Sequence, residues 1–464
     1  MTRQSDLISE LKTTFSADLL RFDDDSISTY CRDWVRLLDA DAMAVFFPEN
    51  PQHLIQLVQW ARKNKVGLVP SGGRTGLSGG AIANRHEVVV SFERMNRIFD
   101  WNAIDRTVTC QAGVITEELQ KYIWDRGYYY PVDFAATGSS QIGGNLATNA
   151  GGVKVVRYGL TRDWVAGLKV ISGTGDLFQF NNGLVKNATG LDFRHLFIGS
   201  EGILGFIYEA TMKFTTQPKD LTAIILGLPD LDSVMNVYQT FRDQLPITAF
   251  EYMSERAIEC VIEHAQLKTP FATKTPHYLL IEVENTSEHT SDEILAAFEQ
   301  CMENNWVIDG AISQSETQAT EFWRLREDIS ESLAAKLPYK NDVSVRISQV
   351  PQFLRDIDQA LAQKYPDFEV VCFGHIGDGN MHINVLKPNN LSNQEFLSKC
   401  EGVNEHLFKI IERLGGSVSA EHGVGLIKKP FLEFSRPNAE IALMREVKRV
   451  FDPDGILNLG KIFD

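Results

Sequence analysis

The sequence predicts an α+β fold of more than one domain. The chain has 464 residues, which is more than one hydrophobic core usually organises. From about residue 50, strand-like and helix-like segments alternate. Near Pro218, glycine-rich loops give way to longer strands and amphipathic helices. We therefore expect a helical lead-in, a first domain, a second domain and a C-terminal segment, at 1–37, 38–217, 218–400 and 401–464.

The first domain should open with strands and helices joined by glycine-rich loops. Asn50 can cap a helix that has Pro51 at its first position, and apolar residues follow at helical spacing. A later helix should end near Gly127. Strands are predicted at 66–70, 87–92 and 107–114, and a β-hairpin with central turn residues is predicted at 168–180.

The second domain has the pattern of an α/β unit of the ferredoxin-like kind. Its predicted strands are 221–228, 278–285, 342–348, 370–375 and 381–386. Its predicted helices are 232–245, 290–304, 317–336 and one that begins at Pro351. A last helix is expected at 438–451.

Composition excludes several classes of protein. The net charge of -16 argues against nucleic acid and against anionic membrane surfaces. The six cysteines form no CxxC pair, which is typical of reduced thiols rather than of disulfides or an iron–sulfur cluster. We find neither a signal core nor an apolar run long enough to span a membrane. We expect a cytoplasmic protein.

Two segments are dense in glycine. Residues 70–80 (PSGGRTGLSGG, the first glycine loop) follow a strand, and glycine lets the backbone approach a phosphate closely. The loop lacks the GK[ST] of a P-loop, and no GxGxxG joins a strand to a helix, so ATP and nicotinamide cofactors are poorly supported. Residues 137–152 (the second glycine loop) combine small residues with hydroxyls. Each loop alone could be a tight turn; two such loops favour a long ligand.

With a third motif, FIGSEGILGFI at 197–207, these loops resemble the FAD-binding domain of the vanillyl-alcohol oxidase type (PCMH-type). The resemblance covers the chain from about residue 38 and is strongest to its D-2-hydroxy acid dehydrogenases. It implies an FAD-binding domain at 38–217, a substrate (cap) domain at 218–400 and a C-terminal segment that returns to the flavin and completes the metal site.

The resemblance also implies cofactor contacts. The first glycine loop would cradle the pyrophosphate, the second would run along the diphosphate and isoalloxazine, and the third motif would line flavin and adenine. Because 70–80 contains no histidine, cysteine or tyrosine, we expect noncovalent FAD. The residues implied are Pro70, Gly72, Gly73, Arg74, Thr75, Gly76, Gly79, Thr137, Gly138, Ser139, Gly143, Gly144, Asn145, Thr148, Asn149, Gly152, Glu201, Gly202, Ile207 and Asn458.

A second constellation pairs imidazoles with a carboxylate. His375 and His382 flank a GDGN turn, and Asn384 lies two residues after His382, on the same side of a strand. Glu421 and His422 are adjacent further on. Two histidines and one carboxylate form an open metal set, although a plain hairpin and a capping loop would share this pattern. The resemblance implies that His375, His382 and Glu421 bind zinc or another divalent metal, that His422 is the general base, and that Asn384 steadies the oxyanion or carboxylate.

Cations in the second domain are candidates for substrate recognition. Arg326 and Ser330 lie one turn apart on a predicted helix. In the alternating strand 342–348, Arg346 shares a face with Lys340 by parity. A solvated polar face is the ordinary alternative. The resemblance implies that Arg326, Lys340 and the Ser330 hydroxyl bind the substrate, and the extra guanidinium of Arg346 suits a second carboxylate.

The expected reaction is oxidation of D-2-hydroxyglutarate, with D-malate as a second substrate, to the 2-keto acid, with hydride passing to flavin N5. D-lactate or glycolate oxidation is the alternative within enzymes, and a non-catalytic flavoprotein subunit is the alternative outside them. An electron-transfer flavoprotein or a quinone is the expected electron acceptor, and a homodimer the expected assembly.

Overall fold

A computed structural model describes residues 2–35 and 38–464, so residues 36 and 37 of the expected lead-in lie outside the described residues. The chain divides into two compact units, and each unit is built from more than one stretch of sequence. The first unit comprises Met1–Gly151, Leu160–Gln217 and Glu421–Asp464. The second unit comprises Gly152–Gly159 and Pro218–Ala420.

The strands of the first unit form two main sheets. They are β1 (Leu20–Arg21), β2 (Ala42–Phe46), β3 (Leu68–Ser71), β4 (Glu87–Ser91), β5 (Ile98–Asn102), β6 (Thr107–Gln111), β7 (Tyr128–Tyr129), β8 (Val165–Ser172), β9 (Leu177–Phe180), β10 (Gly205–Lys213) and β11 (Thr215–Thr216). A four-stranded sheet has the order β1-β2-β4-β3 and is parallel except for β1. A five-stranded antiparallel sheet has the order β5-β6-β10-β8-β9, and β7 pairs with β11.

The second unit is built on one sheet. Its strands are β12 (Leu221–Leu228), β13 (Ile247–Ser254), β14 (His277–Glu284), β15 (Asp309–Ile312), β16 (Tyr339–Ser344), β17 (Glu369–Gly374) and β18 (Asn380–Leu386). The order is β15-β12-β14-β13-β17-β18-β16, antiparallel throughout. Its first four strands have the 4-1-3-2 arrangement of a ferredoxin-like unit, and β17, β18 and β16 extend it beyond β13.

The helices complete both units. In chain order they are α1 (Thr2–Thr14), α2 (Asp24–Tyr30), α3 (Pro51–Asn64), α4 (Thr116–Trp124), α5 (Ile142–Thr148), α6 (Val155–Tyr158), α7 (Arg194–Phe197), α8 (Leu231–Gln244), α9 (Glu255–Ala265), α10 (Thr290–Glu303), α11 (Glu316–Glu327), α12 (Ile329–Ser332), α13 (Val350–Lys364), α14 (Asn393–Leu414) and α15 (Asn438–Phe451). Because α14 crosses residue 400 without a break, residues 401–420 belong to the second unit and not to the C-terminal segment where the sequence placed them.

Local signals predicted several boundaries well. The Asn50 side chain accepts a hydrogen bond from the backbone of His53 at 3.0 Å and so caps α3, with Pro51 in the first turn. The expected hairpin at 168–180 is the antiparallel pair of β8 and β9. Both signals depend only on residues within the segment, so tertiary packing does not override them.

Two predicted elements need correction. The helix expected at 317–336 is two helices, because Asp328 between them has ψ -2° and its carboxylate turns back to Arg324. The strand expected at 342–348 ends at Ser344, because its partner β18 begins only at Asn380. The backbone of Val345 instead donates to the Gly379 carbonyl at 3.1 Å, and a 3-10 turn follows.

The six cysteines are all unpaired and buried, as expected for reduced thiols. Within the described ranges, no helix has both the length and the apolar character needed to cross a bilayer. The core of the second unit packs the helices α9, α11 and α12 against one face of the sheet, with Met253, Val371 and Phe373 among the buried contacts.

Candidate functional site

The first unit contains a pocket at the end of β3, which we call the glycine-loop pocket. Both glycine loops and the third motif contribute to its wall, and Glu421 and His422 complete it. The pocket thus brings together most of the residues predicted to hold the cofactor and the residue predicted to be the base. The predicted cofactor residues that line it are Pro70, Gly72, Gly73, Arg74, Thr75, Gly76, Gly143, Gly144, Asn145, Thr148, Glu201, Gly202 and Ile207.

Two of these glycines serve the pocket in different ways. A Cβ added to Gly73 would lie 2.0 Å from the Ser139 carbonyl oxygen, so the two loops can touch only if this residue has no side chain. Gly144, in contrast, would direct a Cβ into open space, with nothing within 4 Å. At its glycine positions the wall is therefore main chain, which suits a long ligand bound through backbone N–H groups.

Glu201 joins the third motif to the loop after His422. Its carboxylate accepts hydrogen bonds from the backbone of Val424 at 2.7 Å and of Gly425 at 2.8 Å. Burial raises the pKa of Glu201 to about 7, although the two N–H groups oppose the shift. Glu201 therefore holds the segment that carries His422.

Asn458 and Ser78 also position this pocket. The Asn458 side chain donates to the carbonyls of Gly80, at 2.9 Å, and of Glu201, at 2.6 Å. The Ser78 hydroxyl donates to the His422 carbonyl at 2.9 Å. Asn458 is not among the lining residues. Its role in this structure is to join the first glycine loop to the third motif.

Some predicted cofactor residues lie behind the wall or outside the first unit. The members that do not line the pocket are Gly79, Thr137, Gly138, Ser139, Asn149, Gly152 and Asn458. Gly152 belongs to the second unit, and Asn149 accepts a hydrogen bond from the Arg162 backbone at 3.0 Å. Sequence reasoning missed the buried lining residues Asp33, Gln141 and Phe206. Gln141 lies inside a motif already singled out, whereas Asp33 precedes the expected domain and gave no signal.

The second unit places its functional candidates on one face of the sheet, which we call the imidazole face. In the register, Asp342 of β16 opposes His382 of β18, and Lys340 opposes Asn384. His382 and Asn384 therefore share a face, as their two-residue spacing predicts. On β17, Phe373 opposes His382 and also Met253 of β13. Glu251, two residues before Met253, lies on this same face.

His375 is anchored by a buried carboxylate. Its Nδ1 lies 2.9 Å from Glu251 Oε1 and 2.8 Å from Oε2, and Glu251 is 1% exposed. Arg326 approaches Glu251 from α11, with Nε 2.8 Å from Oε2 and the guanidinium 4.8 Å from the centre of the Phe373 ring. Burial alone would raise the pKa of Glu251, but the charges of His375 and Arg326 hold it below its usual value.

His382 faces a second buried carboxylate. Its Nδ1 lies 3.6 Å from Asp342 Oδ1, and its ring centre is 5.4 Å from that of His375. Asp342 also accepts hydrogen bonds from the Asn380 side chain at 2.7 Å and the Ala420 backbone at 3.1 Å. Nδ1 of His375 is thus within hydrogen-bond distance of a carboxylate, and Nδ1 of His382 faces one at 3.6 Å.

The predicted substrate cations differ in burial. Arg326 is 6% exposed, and its Nη2 has no hydrogen-bond partner among the described residues. Asn384 is also buried, whereas Lys340 and Ser330 are exposed. Arg346 is exposed and lies beyond the end of β16, so the expectation that strand parity places it beside Lys340 is wrong. Arg326 and Ser330 do not share one helix, because α11 ends between them.

Comparisons with known proteins identify the family of this chain. Residues 42–181 match the FAD binding domain family, and residues 217–462 match the C-terminal domain of the FAD linked oxidases. The chain is 52% identical over 457 residues to the D-2-hydroxyglutarate dehydrogenase of Stutzerimonas stutzeri (strain A1501), covering 98% of each chain. It is 50% identical over 457 residues to the D-2-hydroxyglutarate dehydrogenase of Xanthomonas citri pv. viticola, covering 98% of this chain and 97% of the relative.

The fold has a solved counterpart at low identity. The 4-ethylphenol oxidase from Gulosibacter chungangensis superposes with a TM-score of 0.77 at 16% identity, covering 100% of this chain and 97% of that one. At this identity the likeness concerns the fold alone. The chain therefore belongs to the FAD-linked oxidases, in the family of the two D-2-hydroxyglutarate dehydrogenases above, and is an FAD-dependent oxidoreductase with the fold of the vanillyl-alcohol oxidase type.

Proposed function

We propose that this protein oxidises D-2-hydroxyglutarate to 2-oxoglutarate, with D-malate as a second substrate. The observation that carries the proposal is the presence of His422 in the wall of the glycine-loop pocket, beside the residues that would hold the flavin. The names and high identity of the two bacterial relatives support the substrate. FAD, when bound, supplies the acceptor for the hydride that leaves C2.

The flavin fits this pocket for two reasons. The wall is main chain at the glycine positions, and Gly144 opens into free space where any other residue would place a Cβ. The side-chain oxygen of Gln141, a buried lining residue, also has no hydrogen-bond partner among the described residues. Such an acceptor is expected to meet a donor on a bound molecule. We propose noncovalent FAD here.

His422 has the chemistry of a general base. Imidazole can take a proton near neutral pH, and in this role His422 removes the substrate hydroxyl proton as C2 is oxidised. The Ser78 hydroxyl holds the His422 carbonyl, and Glu201 holds the two residues Val424 and Gly425 that follow. These contacts fix the backbone on both sides of the base.

We further propose that His375, His382 and Glu421 hold a divalent metal. The fit rests on the donor set of two imidazoles and a carboxylate, and on the buried carboxylates that lie beside Nδ1 of each imidazole, which is a common arrangement around metal-binding histidine. Such an ion, zinc for example, would supply a Lewis acid that lowers the pKa of the substrate hydroxyl. Two histidines and a carboxylate leave coordination positions for the substrate.

Recognition of the second carboxylate would fall to the cations of the second unit. Arg326 offers a buried Nη2 that has no hydrogen-bond partner within residues 2–35 and 38–464, so it can bind a carboxylate at little further desolvation cost. Lys340 and Asn384 are cross-strand neighbours and can share one anionic group. Ser330 and Arg346, which are exposed to solvent, would also bind the substrate. This set of charges favours a dicarboxylate over D-lactate.

Anaerobic flavin reduction tests the proposal directly. The FAD-loaded protein is mixed with D-2-hydroxyglutarate, D-malate, D-lactate or the L enantiomers, with zinc or with a chelator, and the bleaching of the flavin band is followed. We expect fast bleaching with D-2-hydroxyglutarate, slower bleaching with D-malate, and loss of bleaching but not of bound flavin after chelation.

Other outcomes would redirect the assignment. Equal efficiency with D-lactate would favour D-lactate or glycolate oxidation, and no bleaching by any 2-hydroxy acid would indicate a non-catalytic flavoprotein. Unchanged rates after chelation would remove the metal from the proposal. Reoxidation of the reduced protein by an electron-transfer flavoprotein or by a quinone would identify the acceptor, which we propose is one of these two.

A further inference from the structure

Glu251 is the most deeply buried charge on the imidazole face and belongs to no predicted site. It lies in the middle of β13, within the otherwise uncharged sequence ITAFEYMS, and is 1% exposed. A buried carboxylate costs stability unless charges and hydrogen bonds compensate it. Its two partners, His375 and Arg326, are a proposed metal ligand and a proposed substrate cation.

We propose that Glu251 is a positioning residue that joins the metal ligand His375 to the substrate cation Arg326. This inference rests on the proposed function and deepens it. One carboxylate serves both partners, because its oxygens contact Nδ1 of His375 at 2.8 and 2.9 Å and Nε of Arg326 at 2.8 Å.

The contact with His375 sets which ring nitrogen can bind a metal. A carboxylate at Nδ1 holds the ring proton there, so Nε2 keeps its lone pair. The carboxylate also fixes the ring plane and strengthens the imidazole as a ligand. An amide in its place can still accept one hydrogen bond but carries no charge.

The contact with Arg326 sets where the guanidinium points. Glu251 forms an ion pair with the Nε edge at 2.8 Å, and Phe373 lies against the guanidinium plane. Neither Nε nor Nη2 makes a hydrogen bond of regular geometry with a described residue. The ion pair compensates the buried charge of Arg326 through Nε and does not use Nη2. Substrate binding and metal binding therefore depend on the same carboxylate.

The test compares Glu251→Gln with a matched control, Glu282→Gln. Glu282 is also buried in the sheet and paired with a cation, but its partners are Lys154, Thr248 and Trp323 and include neither imidazole. Zinc affinity of the FAD-loaded protein is measured by competition with a chromophoric chelator. We expect Glu251→Gln to weaken zinc binding about 10- to 100-fold, and Glu282→Gln to change it by less than about twofold.

Steady-state kinetics at saturating zinc test the Arg326 contact. We expect Glu251→Gln to raise KM for D-2-hydroxyglutarate about tenfold, as expected for a lost interaction with a charged group, and to change kcat less. If Glu251→Gln does not fold, Glu251→Asp keeps the charge but is one methylene too short to reach both partners. This variant should weaken zinc binding on the order of tenfold, with unchanged flavin content.

His375→Ala separates failure of this inference from failure of the proposed function. Zinc affinity lost in His375→Ala but unchanged in every folded Glu251 variant would overturn the positioning role and leave the metal site standing. Zinc affinity unchanged in His375→Ala would instead overturn the metal site, and the positioning role with it. Equal losses in Glu251→Gln and Glu282→Gln would show a general effect of buried charge and would also overturn the inference.

Discussion

The glycine-loop pocket and the imidazole face solve the problem of ligand binding in opposite ways. In the first unit the wall is rich in glycine, and residues such as Gly73 matter because they lack a side chain. In the second unit the sheet places imidazoles beside buried carboxylates, His375 beside Glu251 and His382 beside Asp342. A glycine-rich wall suits a large cofactor held along its length, whereas such polar pairs suit a small anion and a metal ion.

The largest expected effect comes from the one imidazole in the glycine-loop pocket. Changing His422→Ala should lower the rate of flavin reduction by D-2-hydroxyglutarate by at least about two orders of magnitude, which is the usual contribution of a general base. Flavin content should stay unchanged, because the glycine loops and the other residues that line the pocket are unaltered. Stopped-flow absorbance under anaerobic conditions measures the rate.

The exposed His289 provides the matched control, and His289→Ala should keep the full rate. A His422→Ala protein that reduced its flavin at the normal rate would remove the only base that we assign to this pocket. The pocket would then bind the cofactor without supplying a base.

An intermediate effect is expected from the buried carboxylate of Glu201. Because its pKa is about 7 in the folded protein against 4.5 ordinarily, the folded chain holds this proton more tightly than the unfolded chain. The free energy of unfolding should therefore fall as pH rises from about 4.5 to about 7, by on the order of 3 kcal/mol. Above that range the loss is complete.

Chemical denaturation of the wild type and of Glu201→Gln between pH 4.5 and pH 8 measures this contribution. The stability difference, wild type minus variant, should decrease across the range, whatever its starting value. A difference that stays constant with pH would show that the two backbone N–H groups outweigh burial, and that a charge is accommodated in the pocket wall without cost.

The smallest effect is expected from Arg346. Since this side chain is exposed and lies beyond the strand, its interaction with an anion should be worth no more than about 1 kcal/mol. Changing Arg346→Ala should raise KM for D-2-hydroxyglutarate by up to about fivefold, with kcat and the KM for D-lactate unchanged. Equal changes with both substrates would show that Arg346 does not recognise the second carboxylate.

The same contrast explains what the sequence could predict. The glycine loops are local signals, so many of the residues that line the pocket could be named from 70–80 and 137–152, although Asp33 could not. The alternation of His382 and Asn384 is also local, and the register of β18 confirms it. Asn458 was assigned to the cofactor, but the structure shows it donating to two loop carbonyls, which depends on chain segments hundreds of residues apart.

The remaining features depend on register and could not be predicted. Glu251 lies 124 residues before His375, and only the pairing of β13 with β17 brings them together. A signal existed nonetheless, because a glutamate that is fully buried in a strand almost always has a partner. Arg346 was misplaced for the same reason, since the length of β18 decides where β16 stops.

The eight residues Gly152–Gly159 show that the two units cannot be separated by a single cut in the sequence. They lie in sequence within the FAD binding domain match, yet they belong to the second unit. There, Lys154 forms an ion pair with the buried Glu282 of the sheet. A fragment that begins at residue 218 would lack Lys154. The buried carboxylate of Glu282 would then have no cation to compensate its charge. A chimera that replaces the second unit of such a protein must therefore also replace the segment that corresponds to Gly152–Gly159.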